Sequence, residues 1–101
     1  MGKIFIEEEK ECSKEIKDIV NNVIKKEDKV LKAYLFNIEK DNIPGYLLII
    51  ENKVRDKKKL FDNIGMEILK QVEQLNIDII DAKDDLAVEI IKNRKAIYVK
   101  K

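Results

Sequence analysis

The chain contains no histidine, and that absence narrows the chemistry open to it. Histidine is the side chain whose ordinary pKa lies closest to neutrality. Without it, nucleophile–histidine arrangements and most catalytic zinc sites are excluded. Gly2, Gly45 and Gly65 are scattered along the sequence, so no glycine-rich phosphate loop exists. An enzyme built from this chain would work with carboxylates, lysines, tyrosines or its one thiol, Cys12.

Two charged constellations stand out. Asp78, Asp81, Asp84 and Asp85 crowd the join between a strand candidate and a helix candidate. Hard cations such as Mg²⁺ or Ca²⁺ collect several oxygen ligands at such joins. The spacing matches no calcium loop and lacks the glycine its turn requires. The preferred assignment is therefore a helix cap at Asp84 or Asp85, with the remaining carboxylates solvated. Lys53, Arg55, Lys57, Lys58 and Lys59 surround the start of another helix candidate. Helix amino ends attract anions, so this run could receive a phosphate or an acidic partner. Its lysines oppose the helix dipole. In a chain this rich in lysine, a solvated charged face is the preferred reading. Cys12, beside a helix start, could be an activated thiol, but with no histidine or second cysteine it reads as a small, partly buried residue. Tyr34, Tyr46 and Tyr98 fall on strand candidates and read as core or sheet-surface residues.

The elements that must carry these groups are organised around Val30–Glu51. Two apolar runs, Leu31–Ile38 and Tyr46–Ile50, flank a polar break with Asn42, Pro44 and Gly45 as its turn residues. Tyr34, Phe36 and Ile38 alternate with Ala33 and Leu35; Tyr46, Leu48 and Ile50 alternate with Leu47 and Ile49. Neither run has a polar face, so both are expected to be central strands covered on both sides.

Lys3–Glu7 is a short strand candidate, followed by the acidic run Glu7–Glu9. Ser13 can cap a helix ending near Lys26, on which Ile16, Ile19, Val20, Val23 and Ile24 form one apolar stripe. Asp56 can cap a second helix bearing Leu60, Phe61, Ile64, Ile68, Leu69, Val72 and Leu75. Gly65 lies on that face, where it would permit close approach to the sheet. Ile77–Ile80 is a strand, Leu86, Ala87, Ile90 and Ile91 mark a third helix, and Ala96–Val99 is a closing strand. The order is β-α-β-β-α-β-α-β. It implies an α+β fold with a mixed sheet and helices packed on it.

The composition fits one domain over residues 1–101, with 41% charged residues that nearly cancel to a formal +1. Near-balance argues against a nucleic-acid partner. A single cysteine fits a reducing cytoplasm. No segment reaches the ~20 apolar residues of a membrane span, and MGKIFIEEEK is too short in apolar residues for a signal peptide. No membrane association and a cytoplasmic location are expected.

From the hairpin onward the chain resembles the carboxy-terminal domain of the SseB (enhanced serine sensitivity) family. The matching residues are Lys32-Ala33-Tyr34-Leu35, then Gly45-Tyr46-Leu47-Leu48-Ile49-Ile50. Leu60-Phe61, Ile64-Gly65, Ile77-Asp78-Ile79-Ile80, Asp85-Leu86-Ala87 and the closing Ile97-Tyr98 continue the match. Lys3-Ile4-Phe5-Ile6 and the first helix also fit, so the resemblance covers nearly the whole chain. Where family members carry a Gly- and Pro-containing turn after the first strand, this chain has Glu7-Glu8-Glu9. Many members also have a separate amino-terminal domain, and activity residing there is not carried over. The resemblance implies a cytoplasmic bacterial α+β domain linked by name to serine tolerance, and it supplies no catalytic residues, metal or cofactor.

The expected function is accordingly a non-catalytic interaction or regulatory module without a cofactor, pairing with itself as a homodimer or with another protein. The alternative is a small-molecule sensor, for an amino acid. A third possibility, a minimal metal enzyme on the Asp78–Asp85 carboxylates, is the least favoured.

Overall fold

The computed structural model describes residues 4–6 and 12–100. The Glu7–Glu9 run lies outside them, as do Lys3 and Glu7 at the two ends of the first strand candidate. Eight elements follow in the expected order: β1 (Ile4–Ile6), α1 (Lys14–Ile24), β2 (Val30–Lys40), β3 (Ile43–Asn52), α2 (Lys57–Gln71), β4 (Ile77–Asp81), α3 (Asp85–Ile91) and β5 (Tyr98–Val99).

The strands form one mixed five-stranded sheet in the order β1-β2-β3-β4, with β5 also pairing β2. β2 and β3 are the central strands. β1 pairs the far end of β2 (Ile6 opposite Ile38), and β5 pairs its near end (Ala33 opposite Tyr98). β2 and β3 are antiparallel, whereas β3 and β4 run parallel, with α2 as the crossover between them.

The hairpin turn is tighter than the sequence suggests. Asp41 and Asn42 both have positive φ, 52° and 65°, so a two-residue primed turn joins the strands. Pro44 and Gly45 lie inside β3, opposite Glu39 and Ile38. Pro44 is tolerated because pairing with β4 begins only at Tyr46, so at Pro44 the strand is still an edge. A bulge at Leu31 shifts the register between Val30 and Lys32, which turns Val30 onto the same face as Ala33 and Leu35.

The alternation in the hairpin divides the core in two. Ala33, Leu35, Leu48 and Ile50 face α1 and α2, where they meet Ile16, Val20, Val23 and Ile24 and then Leu60, Ile64 and Ile68. Tyr34, Ile38, Leu47 and Ile49 face the opposite way and pack with Ala82, Ala87, Ile90 and Ile91 at and around α3. Leu47, Leu48, Ile49 and Ile50 are all fully buried. Both faces of the hairpin are thus covered from within the chain. A twofold mate is not needed to cover a bare sheet face.

Local signals explain the helix boundaries. Ser13 caps α1 by accepting from the Ile16 N–H, and Asp56 caps α2 by accepting from the Lys59 N–H. α2 stops at Gln71, because Val72 is extended and Gln74 has φ 61°. Val72 and Leu75 therefore leave the helix stripe but still pack, half-buried, on the core. Leu69 and Leu86 are exposed rather than core. The closing strand shrinks to Tyr98–Val99, flanked by backbone bonds from Ile97 to Ala33 and from Lys100 to Leu31.

Candidate functional site

Because β3 and β4 are parallel, their carboxyl ends lie side by side, and the basic run and the acidic cluster leave the sheet there together. Lys57, in the first turn of α2, forms an ion pair with Asp81, the last residue of β4. Asp81 also accepts from the Lys83 backbone N–H at 3.0 Å. Burial pushes the Asp81 carboxyl upward. The hydrogen bonds from Lys57 and Lys83, with the charges of both lysines, outweigh that and hold it below its ordinary value.

The other members of the two clusters disperse. Asp78 alternates to the opposite sheet face and pairs with Lys40 at 3.7 Å. Asp84 caps α3 by accepting from the Leu86 N–H, while Asp85 is exposed in its first turn. Lys58 pairs with Asp62 along α2, and Lys53, Arg55 and Lys59 are exposed. Among the described residues, no group of three or more His, Cys, Asp or Glu is placed to hold a metal ion. Cys12 is buried, and its Sγ donates to the Leu35 carbonyl at 3.7 Å. Tyr34 lies in the second core cluster, and Tyr46 and Tyr98 pack at the margin of the first.

The fold also presents a surface to which the charged clusters do not point. β4 is laddered to β3 on one side, and among the described residues no strand pairs its other side. All five residues of β4 are half-buried. α2 lies alongside this edge, with Ile79 facing Gly65: a Cβ at Gly65 would sit 3.7 Å from Ile79 Cδ1. Between helix and edge runs an open groove of about 480 Å³, walled by Phe61, Gly65, Met66 and Leu69 and by Ile77 and Ile79, with Asp62 and Asp78 as its charged members. Met66 is 58% exposed and Leu69 43% exposed, which is unusual for large apolar side chains side by side on one helix. The signal was present in the spacing. Phe61, Gly65 and Leu69 recur at i, i+4 and i+8, a second stripe about 100° around the helix from Leu60, Ile64 and Ile68.

A second concavity, of about 420 Å³, lies where the hairpin meets the loop before β4. Ser13, Asn37, Tyr46, Gln74 and Asn76 are polar residues of its lining. Asn76 fixes this corner: its side chain donates to the Pro44 carbonyl at 3.2 Å and its own carbonyl accepts from the Tyr46 N–H at 2.9 Å.

Among the described residues, no helix is long and apolar enough to cross a membrane. A protein-family model described as the SseB protein C-terminal domain matches residues 2–100. No curated protein and no solved structure gives a match.

Proposed function

The chain belongs to the SseB C-terminal domain family, and from that premise we propose that it is a non-catalytic protein-interaction module of the bacterial cytoplasm, acting in the serine tolerance after which the family is named. The observation that carries this reading is the open β4 edge with its apolar strip. An unpaired strand edge offers backbone donors and acceptors to another chain. Met66, Leu69 and the groove beside them offer apolar area at the same place. The dispersal of the aspartates into a cap and separate ion pairs also supports an absence of catalysis. The test is retention of protein: the purified domain, immobilised at moderate salt, should hold a stoichiometric protein partner or a second copy of itself. A strict monomer that holds nothing would remove the reading.

A second reading, an amino-acid sensor, is favoured by the amide-lined concavity at Asn37, Gln74 and Asn76. Its size is adequate for a small ligand. It predicts that an amino acid, serine included, raises the melting temperature, and that Asn76→Ala abolishes the rise. No response to any amino acid would eliminate it.

A further inference from the structure

We propose that the occupant of the β4 edge is a second copy of this chain, joined antiparallel along β4 about a twofold axis at Ile79. This rests on the interaction-module reading and adds the partner, the surface and the register.

Charge selects the occupant. The carboxylates along this rim are already matched within the chain: Asp62 with Lys58, Asp78 with Lys40 and Asp81 with Lys57. A strongly basic or acidic segment would find no uncompensated charge to recognise and would have to displace these lysines or aspartates. An identical, internally neutralised surface meets the rim without repulsion. The edge carries no proline, glycine or lysine, and the charges of its two aspartates, Asp78 and Asp81, are held by Lys40 and Lys57 of the same chain.

The register follows from the alternation. In an antiparallel pair, directly opposed residues share a face. Centring the axis on Ile79 opposes Ile79 to its own copy, Ile77 to Asp81 and Asp78 to Ile80. No aspartate then faces an aspartate. Centring it on Asp78 would set two like charges directly opposite, which is unfavourable. The same twofold that joins the strands brings each α2 toward its copy. Met66 and Leu69, exposed in the single chain, become the apolar floor of an isologous contact. The result is one continuous sheet through both copies.

The experiment is sedimentation velocity on the wild-type chain from about 1 to 100 μM, beside a Met66→Lys/Leu69→Lys double variant. Both positions are exposed, so the variant keeps the fold, which its circular dichroism and melting curve verify; Met66→Lys alone serves should the double variant be compromised. The wild type should be a dimer, and the double variant should dissociate at least about 30-fold more readily. Leu86→Lys/Val88→Lys, on the exposed face of α3, should leave the dimer intact. A wild type that stays monomeric at the highest concentration, a dimer indifferent to Met66→Lys/Leu69→Lys, or one broken by the α3 control would overturn the proposal. A monomer that still holds a different protein would sink this inference and spare the interaction-module reading; a monomer that holds nothing would sink both.

Discussion

Gly45 and Gly65 make opposite demands on the structure, and one substitution at each tests the fold that positions the β4 edge. A Cβ at Gly45 would lie 2.8 Å from both Asn76 Nδ2 and the Asn76 carbonyl oxygen, and 3.1 Å from Asn76 Cγ. Asn76 cannot simply step aside. It is tied to Pro44 through its side chain and to Tyr46 through its backbone, immediately before β4 begins. Overpacking of this kind costs about 1–3 kcal/mol, and breaking the Asn76 side-chain bond adds up to about 1 kcal/mol. Reduced freedom of the unfolded chain returns roughly 0.4–1 kcal/mol. Gly45→Ala should therefore destabilise by about 1–3 kcal/mol, lowering the melting temperature by roughly 5–20 °C for a domain of this size. At Gly65 the nearest atom is an ordinary 3.7 Å away, so Gly65→Ala should gain about 0.5–1 kcal/mol of helix propensity. Urea unfolding of both variants is the assay. Asn76→Ala should rescue Gly45→Ala only in part, since it removes the side-chain clash and leaves the carbonyl. A Gly45→Ala variant as stable as wild type, or a Gly65→Ala variant clearly weaker, would refute the reasoning.

Three further outcomes follow from the strand ends. The folded pKa of Asp81 is depressed, so its stabilising contribution is present above the unfolded value of about 3.9 and is lost as pH falls through the folded value. Asp81→Asn should thus cost stability at pH 7, below about 1 kcal/mol because Lys57 is more than a third exposed, and in acid unfolding curves the difference from wild type should shrink as pH falls below the unfolded value. Asp84→Ala should destabilise by about 0.5–2 kcal/mol through loss of the α3 cap, while Asp85→Ala stays within about 0.5 kcal/mol; a reversed ranking would misplace the cap. Millimolar Mg²⁺ or Ca²⁺ should leave the melting temperature unchanged, and a rise abolished by Asp81→Asn/Asp84→Asn would restore the metal site.

Much of this architecture is legible in the residues because it depends on alternation and period. The two opposed apolar sets in β2 and β3 require cover on both faces, and the structure supplies it with α1 and α2 on one side and α3 on the other. Ser13 and Asp56 announce their helices through a local hydrogen bond that needs no tertiary context. Of the turn residues Asn42, Pro44 and Gly45, Asn42 does take the positive φ of a two-residue turn, together with Asp41, whereas Pro44 and Gly45 belong to β3. Gly45 is instead required by Asn76, thirty-one positions away in sequence, and no local pattern reveals such a contact. The charged clusters were visible as clusters, but the pairing of Lys57 with Asp81 depends on β3 and β4 lying parallel. The α2 edge surface was obscured by reading two helix stripes as one. Leu60, Ile64 and Ile68 face the core, while Phe61, Gly65 and Leu69 turn toward the groove.

The most direct test of the account is amide hydrogen exchange across β4 in the wild-type chain, followed as a function of protein concentration. Pairing of β4 with a second copy predicts that protection over Ile77–Asp81 and the Met66–Leu69 turn of α2 rises with concentration, while exchange in α3 stays constant. Exchange in β4 that is independent of concentration, or protection that rises elsewhere instead, would contradict it.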